Sequence, residues 1–453
     1  MIQQAKKTKR KRVLSGMRPT GRLHIGHYFG ALSNWVKMQE ARLPDGSPEY
    51  ESFHFVADWH ALTTHYADSS QVATNTLEVA TDWLAVGLDP KRVTLFIQSA
   101  VPEHAELHLL LSMITPLSWL ERVPTYKEQI ENLRDKDLGT YGFLGYPLLQ
   151  SADIVMYGEP GQELAVPVGE DQAPHIEMTR EIVRRMNFIN GFEVDQTLYD
   201  RGNSVYLGSV QRALNLPVAQ SGLLYRVFSV VGTEAKRRAL EIGYENFREQ
   251  MGAEARFFHC REILTEPQVI LTETPRVPGT DGRRMAKSYN NAIWLTDTPE
   301  EIRVKAKNMM TDPQRVRRTD PGRPEVCPVF AYHNLFPEQK SLADCERIDR
   351  VDFNCRNAMW GCLDCKTEMA DALIQWIAPI QERRAMYAAN PQVVWEILED
   401  GSRRAKKVAE QTMARVRKAV FNWDAAPGRR EAADAATPGR TQGPLRRNKV
   451  KGN

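Results

Sequence analysis

The sequence has no hydrophobic run long enough to cross a bilayer anywhere in its 453 residues. Its start, residues 1–12, is basic and is not followed by the apolar core of a signal peptide. We therefore expect a cytoplasmic protein with no membrane contact. The net charge is only +3, so no overall field attracts nucleic acid, although the basic tails at both ends would favour a polyanion.

Cysteine is scarce and unevenly placed: there are six, and none precedes Cys260. A disulfide framework is not expected in a cytoplasmic chain. Three of the six lie between residues 355 and 365. This local concentration favours a metal site over isolated buried thiols.

The order of predicted elements indicates an α/β protein with a Rossmann-type parallel sheet and an all-helical C-terminal domain. Apolar strands alternate with helices in the first part of the chain, as in a parallel sheet covered on both faces. The predicted segments are a basic tail (1–12), a catalytic domain (13–190), a mostly helical insertion (191–262), a return to the catalytic domain (263–298), a helical domain (299–424) and a disordered tail (425–453).

The stretch GRLHIGHYFGAL, residues 21–32, places His24 and His27 on either side of Gly26. A short strand precedes it and apolar residues at helical spacing follow it, so a glycine-rich turn leads into a helix. Such a turn can receive phosphate, because the first N–H groups of a helix lack partners and its dipole is positive there. Two surface histidines at a helix start are the plain alternative. We favour nucleotide binding, with the imidazoles donating to phosphoryl oxygens.

A second motif, the glycine-punctuated basic loop GRRMAKS at residues 282–288, supports this interpretation. Together the two motifs resemble the paired signatures of class I aminoacyl-tRNA synthetases. The first is identical to the family's His-Ile-Gly-His, and the second differs from its Lys-Met-Ser-Lys-Ser at Arg284 and Ala286. The stretches FIQSAVPEHAEL, YPLLQSADIVMY and VPVGEDQAPHIEMTR further resemble, in order and spacing, the tryptophan-specific members of that class.

The resemblance implies that ATP activates L-tryptophan as an adenylate, that pyrophosphate leaves, and that the amino acid passes to tRNA(Trp). No protein nucleophile is needed, so the lack of a Ser-His-Asp or Cys-His arrangement does not count against it. Catalysis then consists of positioning and charge stabilisation. The family also implies a homodimer and Mg²⁺ with the ATP. The implied catalytic residues are His24, His27, Arg284 and Lys287, and the implied ATP-binding residues are Arg18, Pro19, Thr20, Gly26, His27, Gly169, Glu170, Asp171, Arg284, Met285, Ala286, Lys287 and Ser288.

Asp153 is the candidate for amino-acid recognition. A carboxylate in an apolar helix is costly unless it has a partner, and a salt-bridged core aspartate is an equally good local interpretation. The family places this residue against the indole N–H, a donor-only group that needs an acceptor. A tyrosine side chain also carries a donor, so Asp153 alone does not separate the two amino acids. The other residues implied for the tryptophan pocket are Tyr146, Gln150, Val166, Val168 and Gln172.

Four cysteines could close a four-coordinate metal site: Cys327, Cys355, Cys362 and Cys365. Zinc is the usual occupant of such a set and an iron–sulfur cluster also takes four thiolates, so the spacing does not decide between them. TDPGRPEVCPV followed by Cys-x6-Cys-x2-Cys resembles the members of the family with a 4Fe–4S cluster in the anticodon-binding domain. That resemblance implies the cluster here. Cys345 is a rival first ligand, but Cys327 has the matching context.

Three other functions remain open from the sequence. A tyrosine-specific synthetase would share the fold and motifs. A small-molecule nucleotidylyltransferase could carry a similar histidine motif but would lack the long helical C-terminal half. An inactive RNA-binding paralogue gains slight support from Ala286, whereas His24, His27, Lys287 and Asp153 argue against it.

Overall fold

The computed structural model describes residues 10–123, 139–169, 172–199, 204–217, 224–271, 277–336 and 341–423. Its main sheet consists of β1 Lys11–Met17, β2 Tyr50–Val56, β3 Thr94–Ile97, β4 Leu164–Val168 and β7 Pro267–Leu271, and β5 Phe192–Val194 and β6 Phe258–Cys260 form a separate antiparallel pair. The first nine helices are α1 Ile25–His27, α2 Ser33–Glu40, α3 Asp58–His65, α4 Val72–Ala85, α5 Glu103–Ser112, α6 Leu117–Glu121, α7 Tyr141–Leu144, α8 Tyr146–Met156 and α9 Ala173–Gly191. They are followed by α10 Ser204–Ala213, α11 Leu224–Ile242, α12 Tyr244–Met251, α13 Pro299–Asn308, α14 Pro328–Leu335, α15 Leu342–Arg356, α16 Cys362–Ala389 and α17 Pro391–Phe421.

The five strands of the main sheet run parallel in the order β3-β2-β1-β4-β7. The central strands are buried, which is why they read as apolar runs. The chain moves outward from β1 in one direction and from β4 in the other, so the strand order reverses between these two strands. Ligands of such sheets bind beyond the carboxyl ends of the strands at this point. The predicted α/β architecture is confirmed, whereas β7 was not predicted.

The helix predicted after the histidine motif is interrupted. α1 has three residues, Tyr28–Leu32 form a π-helical turn, and only then does α2 begin. Tyr28 and Phe29 are adjacent in sequence, yet their rings both pack on Trp376, at 4.9 and 5.7 Å between centroids. A regular helix would turn two successive side chains about 100° apart. Tertiary packing therefore explains the break, and π-turns are frequent at functional sites.

The described chain forms two compact units. One runs to Ile189 and resumes from Leu264 to Thr412; it holds the main sheet and most of the C-terminal helices. The other covers Asn190–Ile263 and continues from Met413. In this second unit the rings of Phe192, Phe247 and Phe258 pack together around the β5–β6 pair. The sequence predicted helices for this insertion but not the pair of strands.

The C-terminal helices bury apolar side chains at helical spacing. Met369, Leu373, Ile377 and Ile380 of α16 are buried, and so are Ala405, Ala409, Thr412 and Val416 of α17, whereas Val420 is half-exposed. α17 packs directly on β3: a Cβ at Gly401 would lie 1.7 Å from the carbonyl oxygen of Leu95. No helix of the described ranges is long and apolar enough to cross a membrane. The tail predicted for residues 425–453 lies outside the described residues, as does most of the basic tail 1–12.

Candidate active site

His24 and His27 lie together at the carboxyl edge of the main sheet, between β1 and α2. Their rings are 3.7 Å apart between centroids. The backbone N–H of His24 donates to Nδ1 of the His27 ring at 3.2 Å. Nδ1 of His27 is therefore an acceptor, and a neutral His27 carries its proton on Nε2. Gly26 is required by this packing, because a Cβ there would lie 2.9 Å from Nδ1 of His24.

Both imidazoles of this pair are neutral at neutral pH. Burial, together with the charge of Lys287, lowers the pKa of His24 to about 4. Burial also lowers the pKa of His27 well below its usual value, with His24, Lys287 and Arg284 adding to the effect. Two neutral imidazoles that keep an N–H can donate to a phosphoryl oxygen without a prior proton transfer. Nδ1 of His24 is buried and has no hydrogen-bond partner among the residues that the structure describes.

The loop that carries Lys287 lies against the histidine motif. Nζ of Lys287 donates to the carbonyl oxygen of Thr20 at 2.7 Å and contacts its hydroxyl at 3.2 Å. The same ammonium lies 5.5 Å from the ring centroid of Trp294. Burial lowers the pKa of Lys287 to about 8, and the charge of Asp82 opposes this shift. Met285 is buried, while Arg284 and Ser288 are exposed.

A cavity of about 440 Å³ opens beside the carboxyl ends of β1 and β4. It brings together all six residues predicted for the amino-acid pocket: its lining includes Tyr146, Gln150, Asp153, Val166, Val168 and Gln172, together with Arg18 and Gly169 of the predicted ATP set. Arg18 lies 5.9 Å from the ring centroid of Tyr146. The residues predicted for the amino-acid pocket and two of those predicted for ATP, Arg18 and Gly169, therefore line the same cavity.

Some predicted ATP-binding residues lie elsewhere. Lys287 and Thr20 line a second cavity of about 420 Å³, with Trp294 and Asp297. Pro19 is buried and lines neither cavity. Glu170 and Asp171 lie outside the described residues.

Asp153 is the buried acceptor of a hydrogen-bond network at the bottom of the first cavity. Oδ1 accepts from Nδ1 of His104 at 2.7 Å and Oδ2 from Nε2 of His60 at 2.8 Å. Nε2 of Gln98 contacts both oxygens, at 2.8 and 2.9 Å. Burial would raise the pKa of Asp153, but the hydrogen bonds and charges of His104 and His60 outweigh it and lower the pKa to about 2. Asp153 is thus ionised at every physiological pH.

Sequence reasoning missed the residues that support this carboxylate. His60 and Gln98 follow the ends of β2 and β3, and His104 lies in α5. Gln98 and His104 belong to the quoted stretch FIQSAVPEHAEL, whose polar residues in an otherwise apolar setting were the available signal. Asn34 was also missed: it lines the cavity, and within the described part of the chain its buried Nδ2 has no hydrogen-bond partner.

The four predicted cysteines lie near one another at the start of α14, the end of α15 and the first turn of α16. Burial raises the pKa of the Cys365 thiol to about 12, and the neighbouring Cys327, Cys355 and Cys362 raise it further. Cys345 is exposed and contributes to none of these shifts. Within the described ranges, however, no group of three or more metal-ligating side chains has the arrangement of a formed metal site.

Positive and polar groups surround this cysteine group. Nη1 of Arg315 lies 3.7 Å from Sγ of Cys355, and Nε2 of His333 lies 3.4 Å from Sγ of Cys365. The cysteines also raise the pKa of Lys366, although burial lowers it overall. Gly322 leaves room for the thiol of Cys355, because a Cβ at this glycine would lie 2.4 Å from Sγ of Cys355.

This combination of a parallel sheet, paired histidines and a lysine loop agrees with comparisons to known proteins. The family described as tRNA synthetases class I (W and Y) matches residues 6–205 and 229–378. The fold and the site therefore define a class I aminoacyl-tRNA synthetase.

The relatives narrow this class further. The chain is 46% identical over 422 residues to the tryptophan–tRNA ligase of Ralstonia nicotianae, covering 90% of this chain and 98% of the relative. It is 42% identical over 409 residues to that of Thermotoga maritima, with the same coverage. A solved tryptophanyl-tRNA synthetase of Campylobacter jejuni, complexed with ADP and tryptophan, matches with a TM-score of 0.64 at 25% identity and covers 90% of this chain and 99% of that one. The chain belongs to the tryptophan–tRNA ligase family, as the sequence motifs predicted.

Proposed function

We propose that the two cavities form one active site, in which the carboxylate of L-tryptophan attacks the α-phosphate of ATP. The bond to pyrophosphate breaks, and tryptophanyl-adenylate forms. The terminal ribose hydroxyl of tRNA(Trp) then attacks the carbonyl carbon of the adenylate, and AMP leaves. The observation that carries this proposal is that Arg18 lines the cavity of the ionised, buried Asp153, while Thr20, two residues further along the same loop, lines the cavity of Lys287.

ATP enters as its magnesium complex, with the metal belonging to the substrate. His24 and His27 are neutral donors for phosphoryl oxygens, and Lys287 stabilises the charge that develops on pyrophosphate as it leaves. The catalytic set is completed by Arg284. We assign Arg18, Pro19, Thr20, Gly26, Gly169, Glu170, Asp171, Met285, Ala286 and Ser288 to the surrounding ATP site.

The indole N–H is assigned to Asp153. A carboxylate offers about four lone-pair positions, and His60, His104 and Gln98 already supply four contacts to it. One donor must therefore yield when tryptophan binds. Gln98 is the group best suited to this, because its single amide nitrogen is shared between both oxygens and can give up one contact while keeping the other.

The remaining walls of the proposed tryptophan pocket are Tyr146, Gln150, Val166, Val168 and Gln172. A phenylalanine side chain carries no N–H for Asp153, so its binding would gain no hydrogen bond in exchange for the contact that Gln98 gives up. Mismatches of this kind reject an analogue by roughly 10⁴–10⁵.

Pyrophosphate exchange into ATP tests the assignment directly. We expect exchange that depends on tryptophan and is weaker with tyrosine by at least two orders of magnitude. Equal exchange with tyrosine would instead assign the tyrosine-specific function, and no exchange with either would leave only an RNA-binding paralogue.

For the cysteine group we propose a 4Fe–4S cluster held by Cys327, Cys355, Cys362 and Cys365, with zinc as the alternative occupant. The donor set fits such a group in kind: four thiols lie within electrostatic reach of one another, and Arg315 and Lys366 offer positive charge to a ligand shell that is negative overall. When bound, the cluster would cross-link the starts of α14 and α16 to the end of α15. Its role is then to organise a helical surface for tRNA rather than to take part in adenylate formation.

We further propose a cytoplasmic homodimer. Leu109 of α5, Met113 directly after α5 and Leu117 of α6 are large apolar side chains that are exposed in the single chain, and exposed apolar patches mark interfaces. Sedimentation velocity should give twice the chain mass, and Met113→Glu should shift the protein toward the monomer.

A further inference from the structure

Asp82 is a fully buried carboxylate directly beneath the histidine motif. It lies near the end of α4 and has no exposed surface. Oδ2 accepts the backbone N–H of Leu23 at 2.9 Å, and Oδ1 accepts Nε of Arg384 at 2.6 Å. Burial raises the pKa of Asp82, and the charge and hydrogen bond of Arg384 oppose that shift. A buried carboxylate is costly without such a partner, so Arg384 stabilises the charged form.

Leu23 is the residue immediately before His24, and its backbone is held on both sides. Its N–H is bound by Asp82, and its carbonyl oxygen accepts the N–H of Leu295 at 3.0 Å. One residue beyond His24, the N–H of Ile25 donates to the carbonyl oxygen of Ile293 at 3.0 Å. The position of the His24 ring therefore depends on a backbone that Asp82 anchors from below.

Asp82 also acts electrostatically on Lys287, in the basic loop of residues 282–288. Its charge raises the pKa of Lys287, against the effect of burial, so the carboxylate attracts the ammonium. A cation beside Asp82 weakens that attraction. Arg384 is such a cation, with its side chain also paired to Glu78 of α4.

Arg384 belongs to α16, the helix whose first turn carries Cys362 and Cys365. From the same part of this helix, Nε2 of Gln381 donates to the carbonyl oxygens of Leu295 and Asp297, at 3.0 and 2.8 Å. α16 therefore contacts Asp82 through Arg384, and through Gln381 it contacts Leu295, whose N–H binds the carbonyl oxygen of Leu23.

We infer that Arg384 is a positioning residue for adenylate formation. It acts through Asp82 in two ways: on the backbone before His24, and on the attraction between the Asp82 carboxylate and the ammonium of Lys287. The inference rests on the proposed function, since it gives Arg384 a role in the ATP half of that reaction. Arg384 lines neither of the two cavities described above. Its effect should therefore fall on the turnover of ATP and should spare tryptophan binding, which depends on Asp153.

Arg383 offers a matched control in the next position. Its Nε donates to the carbonyl oxygen of Ala85 at 2.6 Å, so it docks α16 on α4 as Arg384 does but makes no contact with Asp82. Tryptophan-dependent pyrophosphate exchange would be measured for Arg384→Gln, Arg384→Lys and Arg383→Gln, with kcat and both KM values, beside the thermal unfolding of each variant.

We expect Arg384→Gln to lower kcat by about tenfold or more, with KM for tryptophan changed less than twofold. Arg384→Lys should recover part of the loss, because a cation remains beside Asp82. Arg383→Gln should keep kcat within twofold, even if its unfolding temperature falls as much as that of Arg384→Gln. An equal loss of kcat in both glutamine variants, or no loss in Arg384→Gln, would overturn the inference. Failure of the proposed function looks different, because the unsubstituted protein would then show no exchange with tryptophan.

Asp82→Asn gives a second measurement that does not depend on the stability of a single variant. It removes the buried charge that Arg384 neutralises and keeps an oxygen for the N–H of Leu23. In this background Arg384→Gln should cost less than twofold in kcat, because coupled residues are not additive. A full additive loss in the double variant would show that Arg384 does not act through Asp82.

Discussion

Nζ of Lys287 lies 2.7 Å from the carbonyl oxygen of Thr20, although the two residues are 267 positions apart in the chain. Thr20 belongs to the loop that follows β1, and Lys287 to the loop that follows β7. An ammonium has three N–H donors, and the backbone and hydroxyl oxygens of Thr20 account for two. The contact holds the lysine against the loop that follows β1, with one N–H donor left for an acceptor such as a phosphate oxygen.

Lys287→Ala should therefore slow adenylate formation strongly. Removing one preorganised charge that stabilises a leaving group typically costs on the order of 10²–10³ in rate. Tryptophan affinity should be almost unchanged, because Asp153 lies in the other cavity. Single-turnover formation of the adenylate at the normal rate would refute the role of Lys287.

The pH dependence of the same step follows from the environment of Lys287. Burial lowers its pKa to about 8 despite the opposing charge of Asp82. The protonated ammonium is the form that stabilises pyrophosphate, so kcat/KM for ATP should be highest below pH 8 and should fall as the pH rises through 8. Lys287→Arg keeps its charge at high pH and should lack this alkaline limb; an identical limb in both proteins would assign it to another group.

Much of this site could be predicted because its parts are local in sequence. The histidine motif, the lysine loop and Asp153 lie at the ends of strands or inside one helix, and the parallel sheet brings such ends to one edge. What could not be predicted depends on contacts between distant segments. The four contacts to Asp153 come from His60 in α3, Gln98 directly after β3 and His104 in α5, and no spacing rule links their positions.

The same reasoning explains the errors in secondary structure. The π-turn at Tyr28–Leu32 results from the packing of two adjacent aromatic rings on Trp376, a residue of α16 far along the chain. β7 lies at the edge of the sheet, and two of its five residues, Gln268 and Leu271, are exposed. A three-residue apolar run at residues 269–271 is too short to predict a strand by itself.

Asp153→Ala should weaken tryptophan binding and leave ATP binding nearly intact. A buried charge-assisted hydrogen bond contributes roughly 1.5–3 kcal/mol, so the loss in affinity should be tens-fold or more. Calorimetric titrations with tryptophan and with ATP measure the two effects separately, and Lys287→Ala serves as the reciprocal control. Unchanged tryptophan affinity with weakened ATP binding would be incompatible with the assignment of Asp153.

The proposed cluster predicts colour and composition. Protein purified without oxygen should be brown, with about four irons and four sulfides per chain. Cys362→Ser should lose the colour, whereas Cys345→Ser should keep it, because Cys345 is exposed and has no part in the cysteine group. One zinc per chain without acid-labile sulfide, even after anaerobic reconstitution, would replace the cluster by the alternative metal.

The functional effect of Cys362→Ser should differ between the two half-reactions. Cys362 lies in the first turn of α16, whereas Met369, Leu373 and Ile377 bury the helix beyond it and Arg384 lies near its far end. Loss of the cluster should disturb the first turn and leave the Arg384 end in place. We therefore expect tRNA charging to weaken while tryptophan-dependent pyrophosphate exchange largely survives. Equal loss of both activities would mean that the cysteine group supports the whole fold, and that adenylate formation does not proceed independently of it.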